Sequence, residues 1–93
     1  MEDFEFTFNN GVLLHITPKG EDGYTVNVMV DEPLMGTFSD FENLLYGIAP
    51  VVQNAVSDCI EFGMFVSTLY FHFAAQDDDA KALKDEIGDI LMK

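Results

Sequence analysis

The stretch that decides the fold runs from residue 4 to residue 30 and reads FEFTFNNGVLLHITPKGEDGYTVNVMV. Polar and apolar residues alternate in three runs within it, a pattern typical of β-strands that bury one face. The apolar positions are Phe4, Phe6, Phe8, Val12, Leu14, Ile16, Tyr24, Val26, Val28 and Val30. Asn9-Asn10-Gly11 favours a tight hairpin between the first two runs, and a polar loop at 19–23 separates the second run from the third. The stretch therefore predicts a three-stranded antiparallel meander.

Helical periodicity follows the meander, after a predicted connection over residues 31–36. Ser39 and Glu42 have the spacing of a capping box, which predicts a first helix beginning there. Pro50 is expected to end or kink that helix, because proline has no N–H to donate. The period continues from Pro50 over an unusual length and predicts a second helix. A third helix is expected to begin at Asp77–Asp79, where carboxylates meet the positive end of the helix dipole.

Residues 64–73 are rich in β-forming residues, so a fourth strand there, with Gly63 as the breaker, is the alternative. The helix is favoured because the polar stripe stays in phase on both sides of Gly63. The predicted class is α+β, with a three-stranded antiparallel meander followed by three helices packed on one face. We expect a single small domain over residues 1–93, with the β-meander at 4–30 and the helical part at 39–92.

The composition is strongly acidic. The 93 residues include 17 Asp and Glu but only four Lys and no Arg, which gives a net charge of −13. That is on the order of one net negative charge per 400 Å² of folded surface, and solubility needs a net charge of only about 2–8 in a small domain. Such a chain is not expected to bind nucleic acid directly or to approach an anionic membrane. The acidic N-terminus and the single cysteine predict a cytoplasmic protein, in the host cytoplasm if a phage encodes it.

No pattern of catalytic or metal-binding residues emerges. Cys59 and His72 lie thirteen residues apart on the predicted second helix, roughly 20 Å along its axis, too far to act as nucleophile and base. We therefore expect Cys59 to be a small buried residue. A calcium loop beginning at Asp77 would need a glycine where Ala82 stands and a glutamate where Gly88 stands. The sequence predicts no enzyme activity, no metal and no cofactor.

The carboxylates concentrate in loops and at helix ends. Asp85 and Asp89 stand at i and i+4, where like charges oppose helix formation. Residues that destabilise their own local structure, with no nearby contact to offset the cost, are often retained for function. The expected partner-binding residues are Glu21, Asp22, Asp31, Glu32, Asp58, Glu61, Asp77, Asp78, Asp79, Asp85, Glu86 and Asp89.

Rows of carboxylates accept hydrogen bonds from the same Arg and Lys donors that phosphates do. In size, charge and expected architecture the chain resembles the DNA-mimic anti-restriction proteins and some anti-CRISPR proteins of phages, although no motif carries the resemblance. It implies a non-catalytic inhibitor that occupies the nucleic-acid-binding surface of a basic partner, such as a nuclease, a CRISPR effector or another nucleic-acid-binding protein. The alternative is an acidic immunity protein or antitoxin against a toxin, or another interaction module that neutralises a basic partner.

A second group of residues is apolar yet falls outside the predicted core. Leu13 and Met29 lie on the open face of the meander, and Met64, Phe65 and Phe71 cannot all face inward from one helix. Exposed apolar patches often mark interfaces. A second packed layer, a homodimer seam and a heterologous partner site are the three interpretations.

Overall fold

The structure is a computed structural model that describes residues 2–29 and 34–92. In these ranges an antiparallel sheet of four strands precedes four helices, so the predicted α+β class is confirmed. The strands are β1 (Phe4–Thr7), β2 (Leu13–Pro18), β3 (Tyr24–Met29) and β4 (Leu34–Phe38). The helices are α1 (Phe41–Ala55), α2 (Cys59–Ala74), α3 (Asp78–Ala82) and α4 (Ile87–Leu91).

The first three strands pair as the alternation predicts. The sheet order is β1-β2-β3-β4, with each strand antiparallel to the next, and Leu14 stands opposite both Phe6 and Val28. Gly11 has a φ of +94°, the left-handed conformation that the hairpin between β1 and β2 requires. Val30, expected at the end of the third strand, lies outside the described residues. One face of the sheet is buried against the helices through Phe4, Leu14, Ile16, Tyr24, Val26 and Val28.

A fourth strand exists, but at 34–38. The sequence predicted a connection through residue 36, and it named 64–73 as the alternative place for a strand. Residues 64–73 are instead helical, as favoured, and β4 pairs with β3 so that Gly36 stands opposite Val26. A side chain at position 36 would crowd the Phe38 ring, because its Cβ would lie 3.3 Å from the ring edge. The strand is short and interrupted by this glycine, so its alternation is hard to recognise.

Helix α1 differs from the prediction at both ends. Its N-cap is Asp40 rather than Ser39, and the Asp40 carboxylate accepts a hydrogen bond from the Asn43 N–H at 2.8 Å. Pro50 does not end the helix, which continues to Ala55. Because proline has no N–H, only the carbonyl four residues earlier loses its helical hydrogen bond. That carbonyl lies on an exposed side of the helix, where water can replace the missing donor.

A break at 56–58 separates α1 from α2, where the sequence predicted one continuous helix from Pro50. Asp58 caps α2 by accepting a hydrogen bond from the Glu61 N–H at 2.8 Å. The break shifts the helical phase, so Cys59, expected to be buried, is exposed, whereas Phe65, expected outside the core, is fully buried. The Phe65 ring lies 5.1 Å from Phe6 and 5.3 Å from Phe8, centroid to centroid.

The predicted last helix begins where expected, since the Asp77 carboxylate caps α3. A turn at 83–86 divides it into α3 and α4, so there are four helices in the described residues where three were expected. Leu83 lines a cleft with Phe41 at the start of α1, and Gln53 near the end of α1 donates to the Leu91 carbonyl at 2.6 Å. The chain from α3 to α4 therefore runs alongside α1.

Candidate functional site

Carboxylates from three separate segments converge at one end of the molecule. The segments are the loop between β2 and β3, the start of α1 and the start of α3. We call this surface the acidic edge, and it consists of Glu21, Asp22, Asp40, Glu42, Asp77, Asp78 and Asp79. A cleft of about 300 Å³ lies between Asp40 and the Asp77–Asp79 segment on one side and the Gly20–Gly23 turn on the other. A second cleft of about 270 Å³ shares Asp40 and Asp79 and adds Glu42.

Local contacts hold the three segments together. Tyr24, the first residue of β3, donates a hydrogen bond from its phenol to the Asp77 carboxylate. Gly23 has a φ of +89°, and its Cα approaches the Phe38 carbonyl so closely that any side chain there would overlap the oxygen. The turn before β3 is thereby packed against the end of β4, next to the start of α1. The acidic edge is thus a fixed part of the fold.

Most carboxylates of the acidic edge remain available to a partner. Asp40 and Asp77 are N-caps, and each accepts one backbone hydrogen bond through Oδ1. Asp78 lies 3.9 Å from the Lys81 ammonium, an exposed pair that contributes little. In the described part of the chain, the side chains of Glu21, Asp22, Glu42 and Asp79 make no hydrogen bond or ion pair. Their negative charge is therefore compensated only by solvent and ions.

The structure groups some of the sequence-predicted site residues and separates others. The turn that carries Glu21 and Asp22 lines the same cleft as Asp77–Asp79, through Gly20 and Gly23. Asp85, Glu86 and Asp89 are exposed on the segment that runs beside α1, so they extend the acidic surface away from the edge. Asp31 and Glu32 lie outside the described residues.

Asp58 and Glu61 lie at the opposite end of the sheet, beside the β1–β2 hairpin. The Glu61 side chain is only 5% exposed, although the sequence placed it on a polar stripe. Its carboxylate accepts hydrogen bonds from the N–H of Asn9 at 2.6 Å and of Ser57 at 2.7 Å. Burial acts to raise the Glu61 pKa, but these hydrogen bonds and one from the Ser57 hydroxyl outweigh burial and hold the pKa below its usual value. Glu61 therefore ties the hairpin to α2 and is not free for a partner.

Sequence reasoning missed Asp40 and Glu42 as members of the acidic edge, because their helix-start position explained them locally. It also missed the Glu61 contact, for which a signal was present. Asp58 and Glu61 have the spacing of a capping box, as Ser39 and Glu42 do. In the structure Asp58 caps α2 as that pattern predicts, while the Glu61 carboxylate reaches back to Ser57, one residue before the cap.

A second surface is apolar and lies on α2. Ile60, Met64 and Phe71 are 76%, 61% and 72% exposed. On the open face of the sheet, Leu13 and Met29 stand opposite each other, with Met29 exposed and Leu13 half-buried. Phe65, which the sequence grouped with these residues, belongs to the core.

The two histidines make separate local contacts, and Cys59 is free and exposed. His72 Nε2 lies 2.9 Å from the Glu2 carbonyl oxygen, and its ring packs edge-on against Phe4. His15 Nε2 lies 2.9 Å from an Asp3 carboxylate oxygen on the open sheet face. Among the described residues, no three His, Cys, Asp or Glu side chains are arranged to hold a metal ion.

No protein-family model, curated protein or solved structure matches the chain. None of the helices in residues 2–29 and 34–92 is long and apolar enough to cross a membrane.

Proposed function

We propose that this protein is a non-catalytic acidic inhibitor that binds the nucleic-acid-binding surface of a basic partner protein. The observation that carries the proposal is the convergence of carboxylates from three segments on the acidic edge. Several of them, among them Glu21, Asp22, Glu42 and Asp79, have no side-chain partner in the described structure. A surface of uncompensated carboxylates is unfavourable for the free protein, and a cationic partner would relieve that cost.

The chemistry of the acidic edge suits a protein that normally binds phosphates. Carboxylates accept bidentate hydrogen bonds from Arg and charge-assisted hydrogen bonds from Lys, as phosphate oxygens do. Duplex DNA presents one charge per roughly 3.4 Å along each strand. Consecutive acids such as Asp77–Asp79, together with Asp40 and Glu42 across a shared cleft, offer a comparably dense row. The high negative charge would also steer the two proteins together rapidly.

As an inhibitor of this kind, the protein would be a stoichiometric blocker. The partner would be a nuclease, a CRISPR effector or another protein that binds nucleic acid, as in phage anti-defence systems. Such an inhibitor would act in the cytoplasm. An immunity protein or antitoxin would use an acidic surface in the same way, and only the identity of the partner distinguishes the two.

The test begins with affinity capture of the partner from a lysate, followed by a competition assay with the purified pair. Labelled nucleic acid bound to the partner should be displaced by this protein at a one-to-one ratio. The affinity should fall steeply between about 0.1 M and 0.5 M salt, as the Debye length shortens. A partner that binds nucleic acid and this protein simultaneously would contradict the proposal.

Two N-cap aspartates provide a matched pair of variants. Asp40 and Asp58 each cap a helix through a hydrogen bond of 2.8 Å, but they lie at opposite ends of the molecule. Asparagine caps a helix about as well as aspartate, so both replacements remove one charge and keep the fold. Asp40→Asn should weaken partner binding about tenfold, the loss of one charge-assisted hydrogen bond. Asp58→Asn should have little effect, and equal losses in the two variants would refute the role of the acidic edge.

A further inference from the structure

The outward surface of α2 carries an apolar stripe opposite the core. At about 100° per residue, Ile60, Met64 and Phe71 fall within about 40° of one another around the helix axis. The buried residues Leu69 and Phe65 face the other way, and the centre of the stripe lies about 160° from Leu69. The exposed fractions of the three stripe residues agree with this placement. A soluble helix normally presents polar or charged residues on this side.

The stripe is also free of charge, in a chain of net charge −13. From Cys59 to Gln76 the only Asp, Glu, Lys, Arg or His residues are Glu61 and His72. Glu61 is buried, and His72 packs on Phe4 away from the stripe. Carboxylates resume at Asp58 before the helix and at Asp77 after it. The outward residues of α2 itself are therefore uncharged over its full length, about 24 Å, and Lys84 reaches its flank, with the ammonium 5.8 Å from the centre of the Tyr70 ring.

We propose that this stripe is the interface of a homodimer, in which α2 packs antiparallel against α2 of a second copy. The absence of charge on the stripe favours a second copy of this chain over a basic partner. A basic partner would be bound better by a helix with carboxylates on its outer face, whereas a second copy of net charge −13 can approach only where such charges are missing. The parallel arrangement is unfavourable, because it would set the Asp77–Asp79 segments of the two copies side by side.

The stripe is self-complementary in the antiparallel arrangement. With the two-fold axis at Ser67, Phe71 of one copy lies over Gly63 of the other, and Ile60 lies over Ala74. Phe71 and Ile60 thus meet small residues, as two closely packed helices require, whereas the flexible Met64 lies over Tyr70. The space above Gly63 is open, since a Cβ added there would meet nothing within 4 Å. An isologous contact of this kind closes at two copies.

The area of the stripe sets the strength expected of the dimer. Its three large residues each present on the order of 100 Å² of apolar surface. Two copies would therefore bury roughly 600 Å² of apolar surface from these residues, with more from the small residues between them. A standard interface buries about 1,200–2,000 Å² in total. The dimer should accordingly be reversible, with dissociation in the micromolar range, about 1–100 µM.

Sedimentation equilibrium of the purified protein tests the proposal directly. Between about 2 and 200 µM the average mass should rise from monomer towards dimer, and raising the salt should favour the dimer because it screens the repulsion between two acidic chains. Phe71→Asp should raise the dissociation constant about 30-fold or more. Tyr46→Asp is the matched control, since Tyr46 is also exposed, at 48%, but lies on α1. Circular dichroism of both variants checks that the fold is intact.

A cysteine crosslink tests the arrangement without relying on affinity. In a Cys59→Ser background, Ser67→Cys should form a disulfide-linked dimer on mild oxidation, because the two-fold axis places the two residues 67 together. Asn54→Cys, on the exposed side of α1, is the control and should stay monomeric. A monomer at every concentration and salt would overturn the proposal, and so would a dimer that Phe71→Asp leaves unchanged. Equal crosslinking of the two cysteine variants would also overturn it.

Discussion

Phe65 and Phe71 lie on the same helix, six residues apart, and truncation to alanine should cost much stability at Phe65 and almost none at Phe71. Phe65 is fully buried, and its ring contacts Phe4, Phe6 and Phe8 at centroid distances of 6.1, 5.1 and 5.3 Å. Removing a buried phenylalanine typically costs about 3–5 kcal/mol of unfolding free energy. A chain of this length has a total stability of about 5–14 kcal/mol. Phe65→Ala should therefore remove about a fifth of the stability or more and lower the Tm by about 12–40 °C.

Phe71→Ala removes a ring that is 72% exposed, so little buried surface is lost. Alanine is also the better helix former, and the net change should stay within about 0.5 kcal/mol. Urea unfolding followed by far-UV circular dichroism measures both values. The protein should be kept at low micromolar concentration, so that self-association through Phe71 does not contribute. A cost below about 1 kcal/mol for Phe65→Ala, or a larger cost for Phe71→Ala, would show that the orientation of α2 is wrong.

Three further predictions concern other parts of the molecule. Glu61→Gln should lower the Tm at neutral pH, because the amide accepts the hydrogen bonds from Asn9 and Ser57 less strongly than the carboxylate does. The difference in Tm from the wild type should shrink as the pH falls through the depressed pKa of Glu61, because the wild-type carboxylate is then protonated and loses the same advantage. Thermal unfolding at several pH values checks this. Gly23→Ala should cost about 2 kcal/mol or more, because the new methyl group overlaps the Phe38 carbonyl. Gly20→Ala, also at positive φ but with open space, should cost only about 1 kcal/mol in the same urea assay. The free protein should not shift DNA or RNA in a gel, since four Lys and no Arg cannot neutralise a run of phosphates, and a clear shift would contradict the charge argument.

The sheet was predictable because its signal is local and regular. Alternation around Phe6, Leu14 and Val26 and the glycine-containing hairpin specify the meander without reference to the rest of the chain. The fourth strand was not predictable in the same way. It is short, contains Gly36 and follows a proline, and it forms because β3 offers an unpaired edge, which is tertiary information.

The sequence predicted the wrong inward-facing side at the start of α2, for a different reason. Continuing one periodic stripe across residues 56–58 ignored a helix start at Asp58, so Cys59 and Glu61 at the beginning of α2 were assigned to the wrong side of the helix. Phe65 moved into the core and Cys59 out of it as a result. The acidic edge could not be derived from the sequence either, because it joins segments more than fifty residues apart, such as Asp22 and Asp78. The net charge predicted that acidic surfaces exist, and only the fold decides which of them meet.

The two proposed surfaces respond to salt in opposite directions, which allows each to be assessed in the presence of the other. Screening weakens attraction between the acidic edge and a cationic partner, but it also weakens repulsion between two copies that meet through α2. Asp77 follows the C-terminal end of α2, ten residues after Ser67, so an antiparallel dimer would hold its two acidic edges roughly 30 Å apart along the helix axis and on opposite ends. Neither edge would be covered by the second copy. Dimerisation through α2 and binding of a partner at the acidic edge are therefore compatible, and the expected complex contains two copies of each protein.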